Sequence, residues 1–268
     1  MIRKDLIQDL YPLSPLQEAM AVEGLRNPDG RSYLQQVSFT LTGEFNFSLF
    51  EQSWARLIAR HTILRTVFIL ENTPRFLQAV LHRSDPDIRF SDISAFPSEQ
   101  HDTLLAEQSE ADLLRGFELG ERPPSRLLVL RTGSETHDVV WTHHHILLDG
   151  WCLGALAEEL FTIYAALTEN REPNLPSVRP YADFIRWITA QPADAALDHW
   201  RAVLGNQPIA SKLPRGDAPN SAQTLIEEHR ALVPQQSSKL FELARTLRAT
   251  PSSLLHAAWG LFTAKYSG

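Results

Sequence analysis

A layered α/β fold, an α+β two-layer sandwich of helices against sheets, is what this 268-residue sequence predicts. Three observations lead there. Segments with the two-residue period of strands alternate with segments of helical period over roughly the first 170 residues. No internal repeat or low-complexity tract interrupts them. A proline-bearing stretch, Thr168 to Pro180, then separates this part from a remainder that is mainly helical. Hydrophobic residues make up 43% and charged residues 21%, which suffices for a sizeable core.

Taken in order, Ser14-Pro15-Leu16-Gln17 predicts a helix start, with serine as N-cap, proline at the first helical position and glutamine closing a capping box. Leu34 to Leu41 reads as a strand. Ser48-Leu49-Phe50-Glu51 predicts a second capping box, opening a helix that buries Phe50, Trp54, Leu57 and Ile58. Strands follow at Leu64–Leu70 and Arg75–Leu81, with Asn72-Thr73-Pro74 as the hairpin between them. A polar helix is expected from Ser98 to Leu114. Leu127–Arg131 and Val139–His145 are strands around a Thr132-Gly133-Ser134 turn. From Asp149 onward Leu153, Leu156, Leu160, Ile163 and Leu167 recur at helical spacing. Past Pro173, Pro176 and Pro180 the pattern gives helices at Tyr181–Thr189, Ala195–Leu204, Gln235–Leu247 and Ser252–Tyr266, the last running to Gly268. Residues 1–172 are thus expected as one lobe, and 173–268 as a linker with the incomplete start of a second.

Charge and cysteine content exclude several functions. A formal net charge of −7 speaks against non-specific nucleic-acid binding, which needs clustered cations. The single cysteine, Cys152, has no partner for an internal disulfide and fits a reducing cytoplasm. The opening MIRKDLIQDLYPL lacks an apolar leader core, and no apolar run reaches the roughly 18 residues of a membrane span. A cytoplasmic location without membrane contact is therefore expected.

The chemistry-bearing stretch is Trp141 to Trp151, WTHHHILLDGW. On a strand, Trp141, His143 and His145 share one face and Thr142 and His144 the other. Asp149 then falls where the next helix begins. An imidazole at a strand end, beside a helix N-terminus and a carboxylate, suits a general base, because its ordinary pKa lies near working pH. The competing reading is a structural histidine, with Asp149 as a plain N-cap and Gly150 as a helix-start turn. Residue chemistry alone leaves the two even. His143, His145 and Asp149 also suggest a metal, but no second ligand cluster with metal spacing occurs, and none is expected to bind.

His144-His145-x-x-x-Asp149-Gly150 resembles the HHxxxDG signature of nonribosomal peptide synthetase condensation domains, a pattern shared with chloramphenicol acetyltransferase and related acyltransferases. Three further stretches resemble that family's motifs in order: Tyr11-Pro12-Leu13-Ser14-Pro15-Leu16-Gln17-Glu18, Arg60-His61-Thr62-Ile63-Leu64-Arg65-Thr66-Val67-Phe68, and Tyr181-Ala182-Asp183-Phe184-Ile185-Arg186-Trp187. Asp198-His199-Trp200 sits where the family carries a tryptophan helix. The resemblance spans essentially the whole chain. It implies a chloramphenicol acetyltransferase-like first lobe.

It also implies amide-bond formation between a carrier-bound acyl or peptidyl thioester and a carrier-bound aminoacyl thioester. His145 is then the working histidine, and Gly150 lies where a side chain would obstruct the reaction tunnel. His144 and Asp149 support the site, Asp149 through an ion pair with Arg60 or Arg65. No cofactor is implied to bind directly, since the substrates ride on the 4′-phosphopantetheine of carrier proteins. The implied partners are upstream and downstream peptidyl carrier proteins, an adjacent adenylation domain, and an upstream synthetase docking through residues 1–12. YPLSPLQE together with HHILLDGWCLG resembles the subgroup taking a donor that ends in a D-residue. The competing implications are an epimerisation domain, which Trp151-Cys152-Leu153-Gly154 disfavours, a coenzyme A-dependent acyltransferase, and a non-catalytic docking domain. Trp151, Trp187 and Trp200 are expected in the core.

Overall fold

The computed structural model describes residues 3–26, 32–205 and 229–267. Met1 and Ile2 of the expected docking segment, and Gly268, lie outside the described residues. The chain divides into two units, Met1–Gln191 and Pro192–Gly268.

The first unit holds two sheets. Strands β1 (Ile7–Pro12), β3 (Thr66–Ile69) and β4 (Leu77–Leu81) form an antiparallel sheet in the order β1-β4-β3. Strands β2 (Leu34–Thr42), β5 (Ile88–Asp92), β6 (Ser125–Arg131) and β7 (Thr136–His144) form the second, in the order β2-β7-β6-β5 with β5 parallel to β6. Among the described residues five α-helices accompany them: α1 (Pro15–Arg26), α2 (Phe47–Arg60), α3 (His101–Arg115), α4 (Gly150–Thr168) and α5 (Tyr181–Thr189). The segment read as a docking element therefore contributes Ile7–Pro12 to a sheet, because its backbone pairs with β4.

Alternation in β6 and β7 sets the core. Leu127, Val129, Val139 and Trp141 face one side, where α2 brings Phe50, Trp54, Leu57 and Ile58 and α4 brings Leu156, Leu160 and Ile163. The Trp54 and Trp141 rings meet edge to face, with centroids 5.2 Å apart. Leu128, Leu130 and Val140 face the other side, against Leu104 and Leu105 of α3. A buried ion pair ties that helix down: Arg126 Nε lies 2.8 Å from Asp112 Oδ1, and its guanidinium covers the Phe117 ring at 4.1 Å.

Local signals decide most helix ends. Ser14 and Gln17 form the expected capping box, Ser14 N donating to Gln17 Oε1 at 2.9 Å and Gln17 N to Ser14 Oγ at 3.2 Å. The second expected box is corrected. Asn46, not Ser48, caps α2, accepting from Leu49 N at 3.1 Å, so Ser48 lies inside the first turn. Strand β5 carries no clear alternation and has no counterpart among the expected strands; it is an edge strand with mixed exposure. Helix α5, expected beyond the lobe boundary, packs in the first unit, where Ile185 is buried and Tyr181 N donates to Thr62 Oγ1 at 3.3 Å.

The second unit contains α6 (Ala193–Leu204), α7 (Pro234–Thr246) and α8 (Pro251–Ser267). Each lies within two residues of the span its periodicity predicts. No helix among the described residues is long and apolar enough to cross a membrane.

Candidate active site

Strand β7 ends at His144, one residue before the expected limit, and His145 opens a turn leading through Ile146, Leu147 and Leu148 to Asp149. The three apolar residues are 3%, 6% and 3% exposed, so the turn is anchored in the core while His145 stays partly open. Its backbone is pinned from several directions. His145 N donates to Tyr33 O at 2.8 Å, Ile146 N to His144 Nδ1 at 3.0 Å, and Leu147 N to His144 O at 3.0 Å. Tyr33 holds its carbonyl there from the left-handed region, with φ of 65°. For a bulky residue that conformation is strained by roughly 1–2 kcal/mol.

The His145 ring is oriented by its own turn. Nδ1 lies 2.7 Å from the Leu148 carbonyl oxygen. A carbonyl only accepts, so in the neutral ring Nδ1 carries the proton and Nε2 presents its lone pair. This is the tautomer a base or an amine-positioning group needs.

The two preceding histidines have different work. His143 is fully buried against Trp141, with ring centroids 6.1 Å apart and neither ring nitrogen hydrogen-bonded. Burial, with a smaller contribution from His145, pushes its pKa down from 6.5 to about 4. His144 is also buried, and its Nδ1 must stay unprotonated to accept the Ile146 amide. Burial first, then His145 and His143, take it likewise to about 4. Both are neutral at neutral pH, so neither adds a positive charge beside His145. Among the described residues, no three histidine, cysteine or carboxylate side chains gather as a metal set.

Asp149 caps α4, its Oδ1 accepting from Cys152 N at 2.9 Å. A side-chain hydrogen bond with Cys152 first, and then this backbone bond, hold its carboxyl below the usual range. The expected ion pair is corrected here. Arg60 Nε reaches Glu159 at 2.8 Å, and its Nη2 donates to the Pro176 carbonyl. Arg65 instead donates to Gln8 Oε1 at 2.5 Å and to the Leu81 carbonyl. The reason is positional: Arg60 ends α2 alongside α4, and Arg65 precedes β3 in the other sheet. Glu159 also lies 2.8 Å from His61 Nε2, so the Arg60-His61 pair grips α4 by one carboxylate. Burial pushes Glu159 up, but His61 and Arg60 outweigh it and leave the group lowered.

A Cβ built on Gly150 meets nothing within 4 Å, so no described residue requires glycine there. Trp151, Trp187 and Trp200 are 92%, 57% and 57% exposed, which corrects their placement in the core. Trp151 stands exposed in the first turn of α4.

Two residues at the site carry no chemical signal in the sequence. Gln17 Nε2 donates to the Ile146 carbonyl at 3.0 Å, and Gln78 Nε2 donates to Gln17 Oε1 at 2.9 Å. Gln17 belongs to the Tyr11–Glu18 motif, where its capping role hides this second one.

Known proteins resemble this chain along nearly its whole length. The chain is 33% identical over 267 residues to surfactin synthase subunit 3 of Bacillus subtilis, covering 98% of the chain and 21% of that protein. It is 30% identical over 267 residues to gramicidin S synthase 2 of Brevibacillus brevis, covering 99% of the chain and 6% of that protein. The chain thus spans only a small part of these relatives. Among solved structures, the first condensation domain of the calcium-dependent antibiotic synthetase superposes with a TM-score of 0.72 at 17% identity, over 97% of this chain and 62% of that one. The starter condensation domain of rhizomide synthetase gives 0.67 at 20% identity, over 77% and 50%; both likenesses are of fold. The family model described as "Condensation domain" matches residues 7–268, and the chain belongs to that family.

Proposed function

We propose that this chain supplies the histidine-bearing part of an enzyme that joins two carrier-tethered substrates through an amide bond. The acceptor amine attacks the donor thioester carbonyl, the C–N bond forms and the C–S bond breaks. The acceptor ammonium first gives one proton to solvent to become the attacking amine; after attack the nitrogen's second proton goes to the departing sulfur, which leaves as the carrier thiol. The observation that carries this reading is the His145 Nδ1 bond to Leu148, at 2.7 Å, which leaves Nε2 able to accept from the amine. A thioester is already activated, so holding the amine in line supplies much of the rate. The open space at Gly150 gives substrate backbone a place to approach.

The substrates are taken to ride on phosphopantetheine arms of an upstream and a downstream carrier protein, beside an adenylation domain. This accords with the relatives' being synthases of surfactin and gramicidin S. The donor is taken to end in a D-residue, on the strength of the Tyr11–Glu18 and His144–Gly154 motifs. A coenzyme A-dependent reaction is the competing case.

A condensation assay with both thioesters loaded on carriers tests the proposal in the native polypeptide. His145→Ala should lower product formation by roughly 100-fold or more while the protein stays folded. Full activity in that variant sinks the assignment. Equal rates with L- and D-ending donors remove the subgroup preference, and turnover of coenzyme A thioesters alone favours the competing case.

A further inference from the structure

Gln17 and Gln78 are buried amides, 4% and 0% exposed, at the junction of α1, β4 and the His145 turn. An amide with unsatisfied groups there would be costly, and both are engaged. Gln17 Oε1 accepts from Ser14 N at 2.9 Å and from Gln78 Nε2 at 2.9 Å. Gln78 Nε2 also donates to the Pro12 carbonyl at 3.0 Å. With its oxygen held from two sides, Gln17 has a fixed plane, and its Nε2 is aimed at the Ile146 carbonyl, 3.0 Å away. Ile146 directly follows His145, and its amide is fixed by His144 Nδ1 at 3.0 Å. Both ends of that residue's backbone are therefore clamped, one by the histidine pair itself and one from across the molecule.

We propose that Gln17 is a positioning residue for His145: by holding the Ile146 carbonyl it sets the turn whose Leu148 oxygen orients the imidazole. The inference rests on the reading of His145 as the working group. Gln78 acts behind it, fixing which way the Gln17 amide faces. The three-stranded sheet thereby reaches a turn that belongs to the four-stranded one. The role is distinct from the capping of α1, which uses the Gln17 oxygen and not its nitrogen.

The test is a double-mutant cycle in the native polypeptide, read by steady-state condensation between carrier-bound thioesters with the acceptor concentration varied. Gln17→Met, close in size and without the donor, should lower kcat roughly tenfold with KM changed less than twofold. Gln78→Met, which leaves α1 and its cap untouched, should lower kcat about threefold. Both losses should shrink to less than twofold in a His145→Ala background, because a positioner has no effect once its client is gone. Equal losses with and without His145, or unchanged kcat in folded Gln17→Met, overturn the proposal. Should Gln17→Met not fold, the Gln78→Met cycle decides by the same criterion. If His145→Ala alone keeps full activity, the underlying reading of His145 fails, an outcome distinct from either of these.

Discussion

The carboxylate of Asp149 accepts a hydrogen bond from the amide of Cys152 at 2.9 Å, two residues into helix α4, and neither Arg60 nor Arg65 pairs with it. Asp149 is therefore an exposed helix cap immediately after the turn that carries His145. An exposed cap and a buried ion pair differ in what their loss does. Removing a cap costs typically about 1 kcal/mol. Breaking a buried pair costs about 3–5 kcal/mol.

For Asp149→Ala the expected loss is thus about 1 kcal/mol, and Asp149→Asn should be close to neutral because asparagine caps as well as aspartate. Chemical denaturation of the three proteins checks this. A loss of several kcal/mol with Asn would restore the ion-pair expectation.

The larger effect belongs at Asp112. Its carboxylate meets the Arg126 guanidinium at 2.8 Å and 2.9 Å, where the two side chains are 8% and 3% exposed. Asp112→Ala leaves that cation buried and unpaired, and should destabilise by about 3–5 kcal/mol. Replacing both residues together with apolar ones should recover part of the loss, measurable by the same denaturation series.

Acid sensitivity follows from the buried imidazoles. His143 and His144 titrate near 4 in the folded chain against an ordinary 6.5. Between those values the unfolded chain binds more protons, so stability falls as pH drops from about 6.5 to about 4 and loses nothing further below that. The slope is up to about 1.4 kcal/mol per pH unit for each histidine. His143→Phe removes one of the two contributions and two unpartnered ring nitrogens. Its unfolding free energy, measured at intervals from pH 4 to 7.5, should show a shallower slope; an unchanged slope would contradict the buried-imidazole account.

Much of the fold is legible in the chain because its cues are local. Ser14, Pro15 and Gln17 announce α1 with groups at most three residues apart. Phe50, Trp54, Leu57 and Ile58 declare the buried side of α2 by spacing alone. Strand β5 is not legible, since an edge strand pairing on one side needs no clean alternation. Asn46 is masked because Ser48 and Glu51 offer an equally good local signal close by, and only packing of the whole helix selects between them.

At the site, sequence by itself determined that His144, His145, Asp149 and Gly150 lie where a strand gives way to a helix, in the pattern of the condensation family. Tertiary structure decided their partners. It gave Arg60 to Glu159, left Asp149 as a cap, and brought Gln17 to the Ile146 carbonyl across 129 residues of sequence. Periodicity and capping act within a few residues, so the chain alone expresses them. Which distant amide or carboxylate meets a given group depends on how helices and sheets stack, and that is settled only when the core closes.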